Sequence, residues 1–184
     1  MSLLSYTELQ ELITAGVINA ATENVNAASI DITLGNTILS ERMMMLPNDL
    51  RRVHLGKRDP LNMTTHTFGK DGDEYILYPG EFILAQSQEV FNLPLNISAE
   101  YKLKSSMARI GLEHLNAGWC DAGWNGSVLT LELRNMTRNH EIVLKAGDKI
   151  GQVVFFKHAP VPHESSYAAK GSYNGDKQVT GAKK

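Results

Sequence analysis

The chain carries a single cysteine, Cys120, so no internal disulfide can form. It has no run of eighteen apolar residues, so no helical membrane span is expected. Its first residues, Met1 to Gly16, are polar with acids in the middle and lack a signal-peptide pattern. Together these absences favour a reducing, cytoplasmic setting. Surplus charge is lacking too. Eighteen Lys and Arg against 20 Asp and Glu leave a net charge of −2, which implies no global attraction to nucleic acid. The histidines, at positions 54, 66, 114, 140, 158 and 163, form no i, i+4 pair, and a lone cysteine rules out any Cys-x-x-Cys zinc signature. There is no Walker motif and no Gly-x-Gly-x-x-Gly.

What is present is an ordinary globular composition, 42% hydrophobic and 21% charged over 184 residues. That length fits one domain, or one domain with an arm. Ser5-Tyr6-Thr7-Glu8 has capping-box spacing, and Tyr6, Leu9, Leu12, Ile13 and Val17 follow at helical intervals, with Gly16 placed to end the helix. Ser29 to Gly35 alternates cleanly and predicts a strand ending in a turn at Gly35. Residues 47 to 74, with Pro47, Gly56, Pro60, Gly69 and Gly72, predict a long loop with one short strand. Strands are expected at 75–78, 82–85, 97–103, 127–134, 141–144 and 149–157, with a short helix at 105–110 closed by Gly111. Many short strands with frequent turns predict a mainly β sandwich or barrel. Residues 1–164 form this β domain. The tail, 165–184, is rich in Gly, Ser, Ala and Lys, buries little apolar surface, and alone should be mobile. It reads either as a plain terminus or as a flap that closes over an anionic ligand.

One polar stretch stands out. Lys104-Ser105-Ser106-Met107-Ala108-Arg109 is followed by Asp121 and then Glu132. Ser105 and Ser106 open a short helix, where backbone N–H groups suit phosphate, although the spacing alone favours Ser105 as a plain N-cap. Asp121 sits among Gly118, Gly123 and Gly126 and reads as a hairpin turn former or as the acceptor of a sugar hydroxyl. Trp119 and Trp124 read as core or interface fillers. Glu132 alternates with Leu129, Leu131 and Leu133, so it shares the opposite face with Thr130 and Arg134. It is either a structural partner of Arg109 or Arg134, or a general base whose pKa burial moves toward neutrality. His114, beside Glu113, reads as an ordinary surface or interface pair.

The chain resembles the dCTP deaminases of the dUTPase-like superfamily. The resemblance rests on seven segments in order: Ala28 to Gly35, Tyr78-Pro79-Gly80-Glu81, Lys104 to Gly111, Asp121 to Gly126, Leu131-Glu132-Leu133, Ala146 to Gln152, and Lys170 to Gly175. It implies a distorted β-barrel or jelly-roll with an N-terminal helix and a few short helices, assembled as a homotrimer with active sites between subunits. It implies hydrolytic deamination of dCTP to dUTP and ammonia without a protein-bound metal, Mg2+ arriving on the triphosphate. By position Glu132 shuttles protons, Arg109 orients it, and Ser105 with the Ala117 backbone holds the water. Lys104, Ser106, Asn116, Asp121, Gln152, Tyr173, Lys177 and Gln178 contact the nucleotide, and dTTP is an inhibitor. The segment before Asp121 departs from the family pattern. It is one residue shorter, and Asn116 and Gly118 stand where threonine and histidine are usual. Ala117-Gly118 is similar to the dUTPase and bifunctional branches, which keeps open a second activity that yields dUMP. A non-catalytic nucleotide-binding regulator on the same trimer is the remaining alternative.

Overall fold

The computed structural model describes residues 1–41, 52–69 and 72–183. Part of the loop expected at 47–74, and the last residue of the tail, lie outside the described residues. The elements in chain order are β1 (Ser2–Leu3), α1 (Tyr6–Thr14), β2 (Ile30–Glu41), β3 (Met63–Thr67), β4 (Tyr75–Leu77), β5 (Phe82–Asn92), β6 (Ile97–Leu103), α2 (Ser105–Arg109), β7 (Leu112–His114), β8 (Trp119–Cys120), β9 (Asn125–Asn135), β10 (Ile142–Leu144), β11 (Lys149–Lys157) and α3 (Tyr167–Lys170). The fold is mainly β, as its alternating pattern predicts.

Among the described residues, one sheet runs β7-β9-β5-β2-β11-β6-β8, with β1 added to β11 and β3 to β2. β4 and β10 form a separate pair. All pairings in the main sheet are antiparallel. The sheet curls because its register slips at four places: between Leu34 and Ile38, between Gln86 and Val90, between Phe91 and Asn92, and between Lys149 and Gly151. Such bulges bend a strand and sharpen its twist. β2 is the corner: its first half pairs with β11, its second half with β3 and β5.

That geometry corrects the turn expected at Gly35. The strand continues to Glu41, and Gly35 sits in its interior at the bend. A Cβ there would lie 2.7 Å from Gln86 Cγ and 2.9 Å from the Ser87 carbonyl oxygen, so only glycine lets the two backbones meet. The two curled halves enclose one core that includes Leu9, Ile30, Ile32, Ile38, Ile83, Phe91, Leu131, Leu133, Val153 and Phe155. Each such side chain stabilises the fold by roughly 1.5–3 kcal/mol relative to exposure. α1 begins as the spacing predicts, with Ser5 N donating to Glu8 Oε2 at 2.9 Å, and buries Leu9 and Leu12.

The short strands β7 and β8, like β1, escaped sequence reading because a stretch of two or three residues is too short to be told from a loop. Their placement also overturns the hairpin expected around Asp121. β8 pairs with β6, whereas β9 pairs with β5 and β7. The Asp121–Trp124 turn therefore carries the chain from one half of the curled sheet to the other, with Trp124 N donating to the Asp121 carbonyl.

Candidate active site

A cavity of about 450 Å³ lies between strands β5 and β9 and the C-terminal segment. Its wall combines Glu132, Thr130, Ala117 and Asp121 with the aromatic rings of Trp119, Trp124, Tyr167 and Tyr173. Leu84 and Phe82 add an apolar side, and Leu84 is the direct cross-strand neighbour of Glu132. Alternation along β9 sends Leu129, Leu131 and Leu133 into the core and leaves Thr130 and Glu132 half-buried.

Glu132 sits over a buried partner. Its Oε2 lies 3.3 Å from His114 Nε2, and both atoms are sealed from solvent without a well-aligned hydrogen bond. The glutamate side chain still keeps 25% of its surface open. His114 thus corrects the surface reading given to it: it is buried, with its ring tilted against Tyr101 at 4.6 Å. Neither Arg109 nor Arg134 is the ion partner of Glu132 within one chain; Arg134 instead donates to the Gly80 carbonyl. The sequence signal for His114 was the alternation Leu112-Glu113-His114, which puts His114 on the side of buried Leu112.

The carboxylate is felt by its neighbours. Burial, and then the charge of Glu132, hold the Tyr101 hydroxyl well above the usual tyrosine range. Burial, and then the charges of Asp121 and Glu132, push the Cys120 thiol up to about 12. Cys120 is therefore neutral at physiological pH and inert as a nucleophile. Asp121 accepts a hydrogen bond from Trp119 Nε1 at 2.8 Å, and it also borders a second cavity of about 360 Å³ with Ser98, Ser166 and Lys170. Trp124 is a core residue stacked on Phe91, while Trp119 is about half exposed at the cavity rim.

The segment joining β7 to β8 is tight. Asn116 adopts φ +59°, and its N–H donates to the His114 carbonyl at 2.7 Å. Gly118 lies against Tyr101, where a Cβ would stand 2.6 Å from the Tyr101 carbonyl oxygen. The tail crosses the cavity. The Tyr173 carbonyl accepts from Trp124 Nε1 (3.0 Å) and Ser127 Oγ (3.1 Å), Val128 N donates to the Asp176 carbonyl, and Val179 N donates to Gln86 Oε1 (2.9 Å). Lys183 pairs with Asp176 at 2.6 Å and lies over the Tyr173 ring. Main-chain bonding and a buried Val179 offset what the tail lacks in apolar surface.

The residues singled out from the sequence fall into two groups. Glu132, Ala117, Asp121 and Tyr173 line the cavity. Asn116, Lys177 and Gln178 are exposed on the adjoining segments. Lys104, Ser105, Ser106, Arg109 and Gln152 are absent from the described residues that line it. They stand at the junction of β6, α2 and β11, with Ser105, Ser106 and Arg109 all exposed. The N-cap of α2 is Lys104 rather than Ser105, which is the first helical residue. Lys104 Nζ contacts Asp31 Oδ1 at 2.6 Å, and Gln152 Oε1 accepts from Ser29 Oγ at 2.9 Å.

A curled antiparallel sheet with a strand-borne glutamate in a tail-covered cavity defines a β protein of the dUTPase-like fold. Residues 3–158 match the family model described as dCTP deaminase-like, and the chain belongs to that family. The protein named "dCTP deaminase, dUMP-forming" of Methanosphaerula palustris is 39% identical over 155 residues, covering 83% of this chain and 77% of that protein. The protein of the same name from Corynebacterium glutamicum is 31% identical over 189 residues, covering 98% and 95%. The crystal structure of 2′-deoxycytidine 5′-triphosphate deaminase from Agrobacterium tumefaciens shares the fold with a TM-score of 0.64 at 23% identity. That match covers 83% of this chain, which spans 48% of the Agrobacterium chain.

Proposed function

We propose that the chain hydrolyses dCTP to dUTP and ammonia, with Glu132 as the base. The observation that carries this reading is the placement of Glu132: a carboxylate open to an aromatic-walled cavity and backed by a buried histidine, in a chain of the dCTP deaminase-like family. Glu132 takes a proton from water, whose oxygen bonds to C4 of cytosine. The carboxyl delivers that proton to the ring nitrogen, then takes the second proton from the new C4 hydroxyl and passes it to the amine; C4=O forms as the C4–N bond breaks, so one water enters and one ammonia leaves. The Ala117 backbone and the Ser105 hydroxyl hold the water, and Arg109 stabilises the charge that develops. Asp121 accepts the sugar 3′-hydroxyl. Lys104, Ser106, Gln152, Lys177 and Gln178 take the phosphates, Tyr173 closes over the base, and Asn116 adjoins its edge. Mg2+ comes with the triphosphate as part of the substrate.

The division of these residues into two groups supports a homotrimer in which the Lys104–Arg109 group of one subunit completes the Glu132 cavity of another. dTTP, similar in shape to the product, is the expected inhibitor. The setting is cytoplasmic.

A second reading has its own support. The relatives above carry dUMP-forming names, and Asp121 borders two cavities. On this reading a second water, activated by Asp121, attacks the α-phosphate and releases pyrophosphate, leaving dUMP. Product analysis with dCTP, dCMP and dUTP separates the cases. Ammonia alone marks the deaminase, and ammonia with pyrophosphate and dUMP marks the bifunctional enzyme. Tight binding without turnover would leave only a regulator. Glu132→Gln is expected to abolish ammonia release while keeping nucleotide binding; deamination surviving in that variant sinks the mechanism.

A further inference from the structure

Asp31 is nearly fully buried at the start of β2, yet its carboxylate meets two ammonium groups: Lys104 Nζ at 2.6 Å on Oδ1 and Lys149 Nζ at 3.3 Å on Oδ2. Asn26 Nδ2 also donates to Oδ1 at 2.7 Å. One lysine would neutralise the buried charge. The second leaves the cluster with net positive charge, and the Lys149 side chain stays 48% exposed. The surrounding geometry is suited to an anion. Gln152 stands directly across from Asp31, and its carbonyl oxygen accepts from Ser29 Oγ, which leaves the two amide N–H groups as its remaining hydrogen-bonding capacity. Lys104 leads into Ser105 and Ser106, whose side chains are exposed.

We propose that Lys149 is a further cationic contact for the distal phosphates of the nucleotide, and that Asp31 is the positioning residue that fixes the spacing of Lys104 and Lys149. The inference rests on the nucleotide reading above and adds two residues to it. Charge on the ligand grows with each phosphate, so a cation placed for the distal groups discriminates a triphosphate from a monophosphate. A lysine that merely tethers β11 to β2 would affect both ligands alike.

The test is calorimetric binding of dCTP and dCMP to Glu132→Gln protein with and without Lys149→Met. Loss of one charge-assisted contact is expected to weaken dCTP about tenfold. The expected change for dCMP is less than about twofold, because its single phosphate does not reach Lys149. Lys149→Arg is expected to restore dCTP affinity. Unchanged dCTP binding, or equal losses for dCTP and dCMP, overturns the proposal. Thermal melting of each variant identifies any that fails to fold, and Lys149→Gln then replaces it. Ammonia release by the Glu132→Gln parent would overturn the deamination mechanism instead, and the affinity ratios would still decide the lysine.

Discussion

Gly118 and His114 show how single residues fix the base. Gly118 is pressed on the Tyr101 backbone, with the Tyr101 N–H donating to the Gly118 carbonyl at 2.8 Å. Gly118→Ala is expected to lower stability by about 1–3 kcal/mol, read from denaturant unfolding, because backbone must move to admit the methyl group. His114→Phe keeps the ring against Tyr101 but removes the nitrogen beside Glu132 Oε2. Losing that electrostatic contact leaves the desolvation of the buried carboxylate oxygen less compensated, so the side chain turns away. The expected result is a kcat for ammonia release at least about tenfold lower, with dCTP affinity nearly unchanged. Equal losses in kcat and affinity would mean that His114 only supports the fold.

Two elements carry expectations of their own. The tail is held by main-chain bonds to β9 and to Gln86, and its Tyr173 lines the cavity. Truncation before Tyr173 is expected to raise the apparent KM for dCTP far more than for deoxycytidine; equal effects would refute a phosphate lid. At the β5 bend, Glu89 is buried and accepts from Thr33 N and Thr33 Oγ1. Burial raises its pKa above the ordinary carboxylate value, and the Thr33 bonds only partly oppose the rise. A raised pKa in the folded state means that the stability contribution is full below the unfolded pKa and is lost as pH rises through the folded one. Glu89→Gln is therefore expected to gain melting temperature, relative to the parent, more at pH 7 than at pH 4. A difference that is flat across that range would show that the carboxyl titrates normally.

At the scale of the whole molecule, the division of the polar residues predicts complementation. Glu132→Gln and Arg109→Ala should each be inactive alone. Mixed by unfolding and refolding together, they should form hybrid trimers in which about a quarter of the sites hold both native side chains, by random assortment around a cyclic assembly. Recovery of about that share of activity places Glu132 and Arg109 on different subunits. No recovery, with mixed trimers verified by mass, would place the whole site in one chain.

Much of this protein is legible in its local residue pattern. Period-two alternation set the long strands, capping-box spacing set the start of α1, and the leucines flanking Glu132 marked it as the unusual acid. These signals are local, carried by residues two to four apart, so they survive without knowledge of the fold. The tertiary structure decided what depends on distant segments meeting. It turned Gly35 from a turn into a strand bend against Gln86 and Ser87, and buried His114 beneath Glu132. It joined Asp31 to Lys104 and Lys149, which are 73 and 118 positions away in the chain. It also separated Arg109 from the cavity that Glu132 lines, a division no spacing along one chain could announce.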